Sequence, residues 1–256
     1  MRGTITSIHS YRGGTGKSNL TANLAAALVA SGKKVAVLDG DVLSPGQHVI
    51  FGMELTESSL TLSHFLMGKC EIAEAAYDVS DKIGATGSGQ CFLIPSSLDT
   101  NTITRLLDEG YDADRLNENF DVLFSQLKID HLLIDTHPGL NRETLLTTAV
   151  SDNLILVIRP DRQDFQGTAV LVEVAKRLEV PNVSLVANKV LKSLDAAALK
   201  HRLEETFGYP VIGSLPLSED LALNGSREVF AVAHPTHPVT LEARSIARAL
   251  RGGPNS

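Results

Sequence analysis

Arg12-Gly13-Gly14-Thr15-Gly16-Lys17-Ser18 puts three glycines, a lysine and two hydroxyls into seven residues. Glycines let the backbone wrap an anion with its N–H groups turned inward, and a helix starting at the end of such a loop adds its dipole. The anion that suits this loop is a polyphosphate. Lys17 would reach its β- and γ-phosphates, and the Ser18 hydroxyl would hold Mg²⁺. Gly13, Gly14, Thr15, Gly16, Lys17, Ser18 and Asn19 form the candidate binding stretch. The competing reading, a glycine turn with no ligand, is weakened by the strand expected before the loop and the helix expected after it. Two residues depart from the common pattern: Tyr11 stands where a glycine is usual, and Arg12 directly precedes Gly13.

Such a loop works only if a rigid frame holds it. Short apolar runs recur at Thr4–Ile8, Val35–Leu38, Phe92–Ile94, Leu132–Ile134, Leu154–Ile158, Val183–Ala187 and Val211–Leu215. Several are apolar at successive positions, the mark of strands covered on both faces. Helical spacing fills the intervals: Leu20, Leu24 and Leu28 fall on one stripe of a helix over 18–31, with Gly32 placed to end it. Further helices are predicted over 99–109, 113–127, 142–150, 165–178, 196–206 and 239–250. Alternation of this kind predicts an α/β fold, a mostly parallel twisted sheet with helices on both faces. Thr86–Gln90 reads as a turn feeding an edge strand, in an antiparallel hairpin. One domain over 1–256 is expected, with 251–256 as a frayed tail.

Composition bounds the partners. Of 256 residues, 43% are hydrophobic, enough for a sizeable core and too many for a disordered chain. No apolar run is long enough to span a membrane, and the N-terminus lacks the features of a signal peptide. Twenty-three basic against 30 acidic side chains leave a charge of −7, which argues against a globally basic nucleic-acid binder but not against a local patch. Two cysteines, Cys70 and Cys91, make neither a disulfide framework nor a four-ligand metal site. A cytoplasmic, reduced setting is expected, with both thiols buried.

The stretch RGGTGKS resembles the deviant phosphate loop of the MinD/ParA family of P-loop ATPases, with Arg12 at the family's signature lysine. Asp39-Gly40-Asp41 is similar to the family's D-x-D switch, and Leu132-Leu133-Ile134-Asp135 to its metal-holding strand. Thr136-His137-Pro138-Gly139 is similar to its second switch, with His137 as a departure. The resemblance implies an ATP hydrolase with Mg²⁺ held by Ser18, Asp41 and Asp135. It implies that Asp41 orients the attacking water, that Gly139 senses the γ-phosphate, and that Lys17 and Arg12 neutralise charge. Asn188 matches the adenine-contacting asparagine; Pro216 and Leu217 match the loop that packs the base. It further implies an ATP-dependent homodimer in which residue 12 reaches the partner subunit's phosphates, an activating or cargo-adaptor protein, and a role in positioning or partitioning a cargo. Arg12 could instead be local or solvated, and either aspartate could be a helix cap.

Several surfaces stay open. Arg244, Arg248 and Arg251 share a helix face, either ordinary and solvated or a patch for non-specific DNA. The chain shows no amphipathic C-terminal extension of the membrane-targeting kind, so direct membrane anchoring is not expected. His234 and His237 have H-x-x-H spacing in a proline-bounded loop without an evident third ligand. His137 reads either as a structural histidine or as one whose packing follows the nucleotide. The alternatives to a hydrolase are a dimerising ATP-bound scaffold with little turnover and an ATP-dependent ligase on the same fold.

Overall fold

A strand that is apolar at every position needs cover on both faces, and this sheet is built that way. The computed structural model describes residues 3–109 and 113–252. In chain order they form β1 (Thr4–His9), α1 (Lys17–Val29), β2 (Lys34–Gly40), α2 (Gln47–Ile50) and α3 (Leu62–Leu66). After a 3₁₀ turn come β3 (Tyr77–Asp78), β4 (Gln90–Ile94), α4 (Thr100–Glu109), α5 (Ala113–Glu118), α6 (Phe120–Leu127), β5 (His131–Thr136) and α7 (Arg142–Ala149). The rest is β6 (Asn153–Ile158), α8 (Arg162–Arg177), β7 (Asn182–Val190), α9 (Ala196–Phe207), β8 (Val211–Pro216), α10 (Glu219–Asn224), α11 (Phe230–Ala233) and α12 (Pro238–Gly252).

The strands make one sheet in the order β3-β4-β2-β5-β1-β6-β7-β8, parallel except for β3 at the edge. Alternation within β2 shows the two layers: Val35 and Val37 pack with α1, α11 and α12, whereas Ala36 and Leu38 pack with α3, α5 and α6. On that second face α8 and α9 cover β6 to β8 through Leu154, Leu156, Leu171 and Leu203. Cys91 lies in the first layer and Cys70 in the second, both buried and unpaired.

The predicted helices sit within a few residues of their expected bounds, with one correction. The stretch 113–127 is two helices rather than one, broken at Asn119, whose side-chain amide donates back to the Arg115 carbonyl at 2.8 Å. Such local side-chain bonds compete with the helical ladder. The edge pair is antiparallel, but β3 is only two residues long, and Thr86–Gln90 is the last part of a longer connection. At the other end α12 continues through Arg251 and Gly252 into the stretch expected to fray; 253–256 lie outside the described residues. In the interior β1 lies between β5 and β6, and β2 lies beyond β5. In open α/β sheets the crevice at the carboxyl ends of strands flanking such a reversal is where ligands bind.

Candidate nucleotide and metal site

The loop between β1 and α1 is shaped by its glycines. Gly14 and Gly16 have φ of +74° and +95°. At Gly16 a Cβ would lie 2.4 Å from Asn188 Nδ2, so both conformation and space demand glycine there. The hub of the loop is a residue with no motif of its own. Ser10 Oγ accepts from Thr15 Oγ1 at 3.0 Å and from Lys17 Nζ at 3.1 Å, and donates to the Arg12 carbonyl at 2.7 Å. Lys17 is buried. Burial lowers its pKa, while the charges of Asp135 and Asp41 pull it back up.

Strand register brings the acids together. Asp39 on β2 pairs with Asp135 on β5, and both are buried. Asp39 Oδ2 accepts the backbone N–H groups of Gly46 and Gln47, each at 2.9 Å, so this carboxylate caps α2. The Gln47 side chain crosses the gap: Nε2 donates to Asp135 Oδ2 at 2.8 Å and to the Ser18 carbonyl at 3.1 Å. Asp39 Oδ1, Asp135 Oδ1 and Gln47 Oε1 are buried without a hydrogen-bond partner. Burial raises the pKa of both acids. For Asp39 the charge of Asp135 adds to the rise; for Asp135 the Ser18 hydroxyl, Gln47 and Lys17 oppose it. Buried oxygens that lack donors, two of them carboxylate oxygens, are the hard donor set that suits Mg²⁺.

A cleft of about 740 Å³ opens over the phosphate loop, walled by Gly13, Gly14, Gly16, Lys17, Ser18 and Asn19 on one side and by Asn188, Pro216 and Leu217 on another. Asp41 and His137 line it as well. The sequence profile of the CobQ/CobB/MinD/ParA nucleotide binding domain matches residues 6–230. The chain belongs to the CobQ/CobB/MinD/ParA family. It is 31% identical over 248 residues, 96% of this chain and 86% of the other, to an uncharacterized ATP-binding protein of Methanocaldococcus jannaschii. An iron-sulfur cluster carrier protein of the same organism is 31% identical over 186 residues, 71% of this chain and 58% of that one. Among solved structures, the septum site-determining protein MinD of Pyrococcus horikoshii, complexed with Mg-ADP, superposes with a TM-score of 0.78 at 21% identity, covering 97% of this chain and 96% of that one.

In this member of the CobQ/CobB/MinD/ParA family, several predicted site residues lie off the cleft wall. Thr15 is buried, and its carbonyl accepts from Asn188 Nδ2 at 2.7 Å. Arg12 turns toward α8, where Nη1 donates to Gln163 Oε1 and lies 3.8 Å from the buried Asp164. Gly139 has φ +85° and donates its N–H to the Ser10 carbonyl at 3.0 Å, tying the second switch to the phosphate loop. Asp41 Oδ1 accepts from the Ser44 N–H at 3.0 Å and from His137 Nδ1 at 2.7 Å. His234 and His237 pack their rings on Phe230, and His237 faces Asp220 at 3.3 Å. Arg244 is half-buried and Arg248 exposed; the Arg251 side chain lies outside the described residues.

Sequence reasoning missed four contributors. Ser10 and Gln47 stand next to motifs but carry no spacing signal. Lys189 has φ +56°, and its Nζ donates to the Gly14 carbonyl at 2.8 Å, so Asn188 and Lys189 together grip two successive carbonyls of the phosphate loop. Tyr11 lays its ring on α8 where residue 167 is glycine: a Cβ there would meet Tyr11 Cδ1 at 2.2 Å. An unexplained glycine inside a helical pattern is the one signal that could have pointed to this contact.

Proposed function

We propose that this chain is a Mg²⁺-dependent ATPase that works as an ATP-gated homodimer and positions or partitions a cargo. The observation that carries the reading is that Lys17, Ser18 and Asp41 line one cleft at the carboxyl ends of β1 and β2, while the buried Asp39–Asp135–Gln47 cluster behind it is joined to the phosphate loop by the bond from Gln47 to the Ser18 carbonyl.

Phosphoryl transfer to water needs position and charge neutralisation more than covalent help. The loop amides from Gly13 to Asn19 cradle the phosphates, and Lys17, held by Ser10, supplies fixed positive charge. Ser18, Asp135 and Asp41 are the residues that would hold Mg²⁺, with Gln47 fixing Asp135. The ion, when bound, would supply positive charge against the charge that develops on the phosphates. Asp41 orients the water, whose oxygen bonds to the γ-phosphorus as the bond to the β,γ-bridging oxygen breaks. The bridging electron pair leaves with ADP, and the water proton ends on the phosphate product or in solvent. Pro216 and Leu217 flank the base end of the cleft.

Arg12 is docked on its own subunit's Gln163 and Asp164. In the dimer it leaves this dock for the partner subunit's phosphates, so docking and dimerisation compete for one guanidinium. An activating or cargo-adaptor protein, and non-specific DNA on the exposed Arg248 side of α12, are the partners this reading expects. Iron–sulfur carriage finds no support in the thiols, which are buried on opposite faces of the sheet. Steady-state phosphate release with Mg²⁺ tests the reading: turnover that Asp41→Ala abolishes supports it. Tight ATP binding without turnover in the wild type would leave the scaffold instead.

A further inference from the structure

Asp41 follows β2 and His137 follows β5, and these neighbouring strands end in register, Gly40 beside Thr136. Their side chains meet across the gap. His137 Nδ1 lies 2.7 Å from Asp41 Oδ1. An ionised carboxylate only accepts, so Nδ1 carries the proton and donates it. The Ser44 N–H donates to the same oxygen at 3.0 Å. Among the described residues Oδ2 receives no hydrogen bond. Both residues line the cleft.

We propose that His137 is a positioning residue for hydrolysis: with the Ser44 N–H it pins Asp41 Oδ1 and so presents Oδ2 to the attacking water. The inference rests on the ATPase reading above and deepens it. The carboxylate torsion of an aspartate is broad, so a single donor leaves the group free to swing about its bond. Two donors arriving from different segments, one from the loop after β2 and one from the loop after β5, fix the plane. A carboxylate oxygen held in one place is worth far more to water attack than one that samples many. The contact also joins the two switch segments, so a shift of either one on phosphate binding or loss is passed to the carboxylate.

The experiment compares wild type, His137→Ala and His137→Asn by steady-state phosphate release with Mg²⁺, alongside the dissociation constant for ADP by calorimetry. An asparagine amide can donate from close to the position of Nδ1. The expected result is that His137→Ala lowers kcat about tenfold while KM and ADP affinity stay within about twofold, and that His137→Asn returns kcat to within about threefold of wild type. Wild-type kcat in His137→Ala overturns the inference and leaves the ATPase reading standing. So does failure of His137→Asn to recover turnover while binding ADP normally. A wild-type protein that binds ATP and never turns it over removes the ATPase reading, and this inference with it.

Discussion

Replacing Asn188 by alanine separates two roles that its position allows. Nδ2 donates to the Thr15 carbonyl at 2.7 Å and Oδ1 accepts the Lys189 N–H at 2.8 Å, with Asn188 and Thr15 both buried. The substitution leaves the buried Thr15 carbonyl without its partner, whereas the freed N–H of the exposed Lys189 can turn to water. The loss of stability should be about 1–3 kcal/mol, most of it from that carbonyl. That is a large share of the ~5–15 kcal/mol that holds a typical domain together, and equilibrium urea unfolding reads it directly. The phosphate loop would also lose one of the two side-chain bonds that β7 makes to its carbonyls, leaving that of Lys189 to Gly14. A loop that must be ordered on binding should weaken ATP about 5- to 30-fold, equivalent to about 1–2 kcal/mol. The decisive comparison is inorganic tripolyphosphate, which has no base. A clamp on the phosphate loop predicts that Asn188→Ala weakens ATP and tripolyphosphate by similar factors in calorimetric titrations with Mg²⁺. Loss for ATP with tripolyphosphate unchanged would refute the clamp and return Asn188 to the base-contacting role that the resemblance implied.

Two further outcomes follow from the interior. Gly167→Ala drives a Cβ into the Tyr11 ring and should cost about 1–3 kcal/mol in urea unfolding. In a Tyr11→Ala background the sign should reverse to a gain of about 0.5–1 kcal/mol, because alanine is the better helix former; additive effects would refute the contact. His9 is buried, and burial, reinforced by the charges of Lys17 and His137, drops its pKa to about 3. The unfolded state therefore binds the extra proton below about pH 6.5, so stability present above that pH is lost on acidification, by up to about 1.4 kcal/mol per pH unit. The imidazole of the folded protein should stay neutral by NMR at pH 5, and the acid slope should flatten in His9→Asn; a ring that titrates near 6.5 would contradict the burial argument.

What could be read from the chain was what lies contiguous in it. Residues 12–18 announce their chemistry because glycine, lysine and serine must stand at fixed offsets for the backbone to wrap phosphate. The strand that leads into Asp41 and the one that carries Asp135 were legible from their apolar runs. Which carboxylate does what was not, because it depends on register: Asp39, inside the same motif, caps α2, whereas Asp135 meets Gln47 from a helix of only four residues. The same limit hid the grip of Lys189 on Gly14 and the contact of Tyr11 with Gly167. Each joins segments more than a hundred residues apart by one side chain, and no periodicity encodes such a meeting. Arg12 was legible as a cation at a signature position, but its dock on Gln163 and Asp164 was not.

ATP-gated association is the central claim, and the mass in solution of Asp41→Ala measures it without interference from turnover. One chain weighs 27.4 kDa. The account predicts that light scattering gives the mass of one chain with Mg-ADP and of two with Mg-ATP. The mass of a single chain under both conditions, or of two chains regardless of nucleotide, would contradict it.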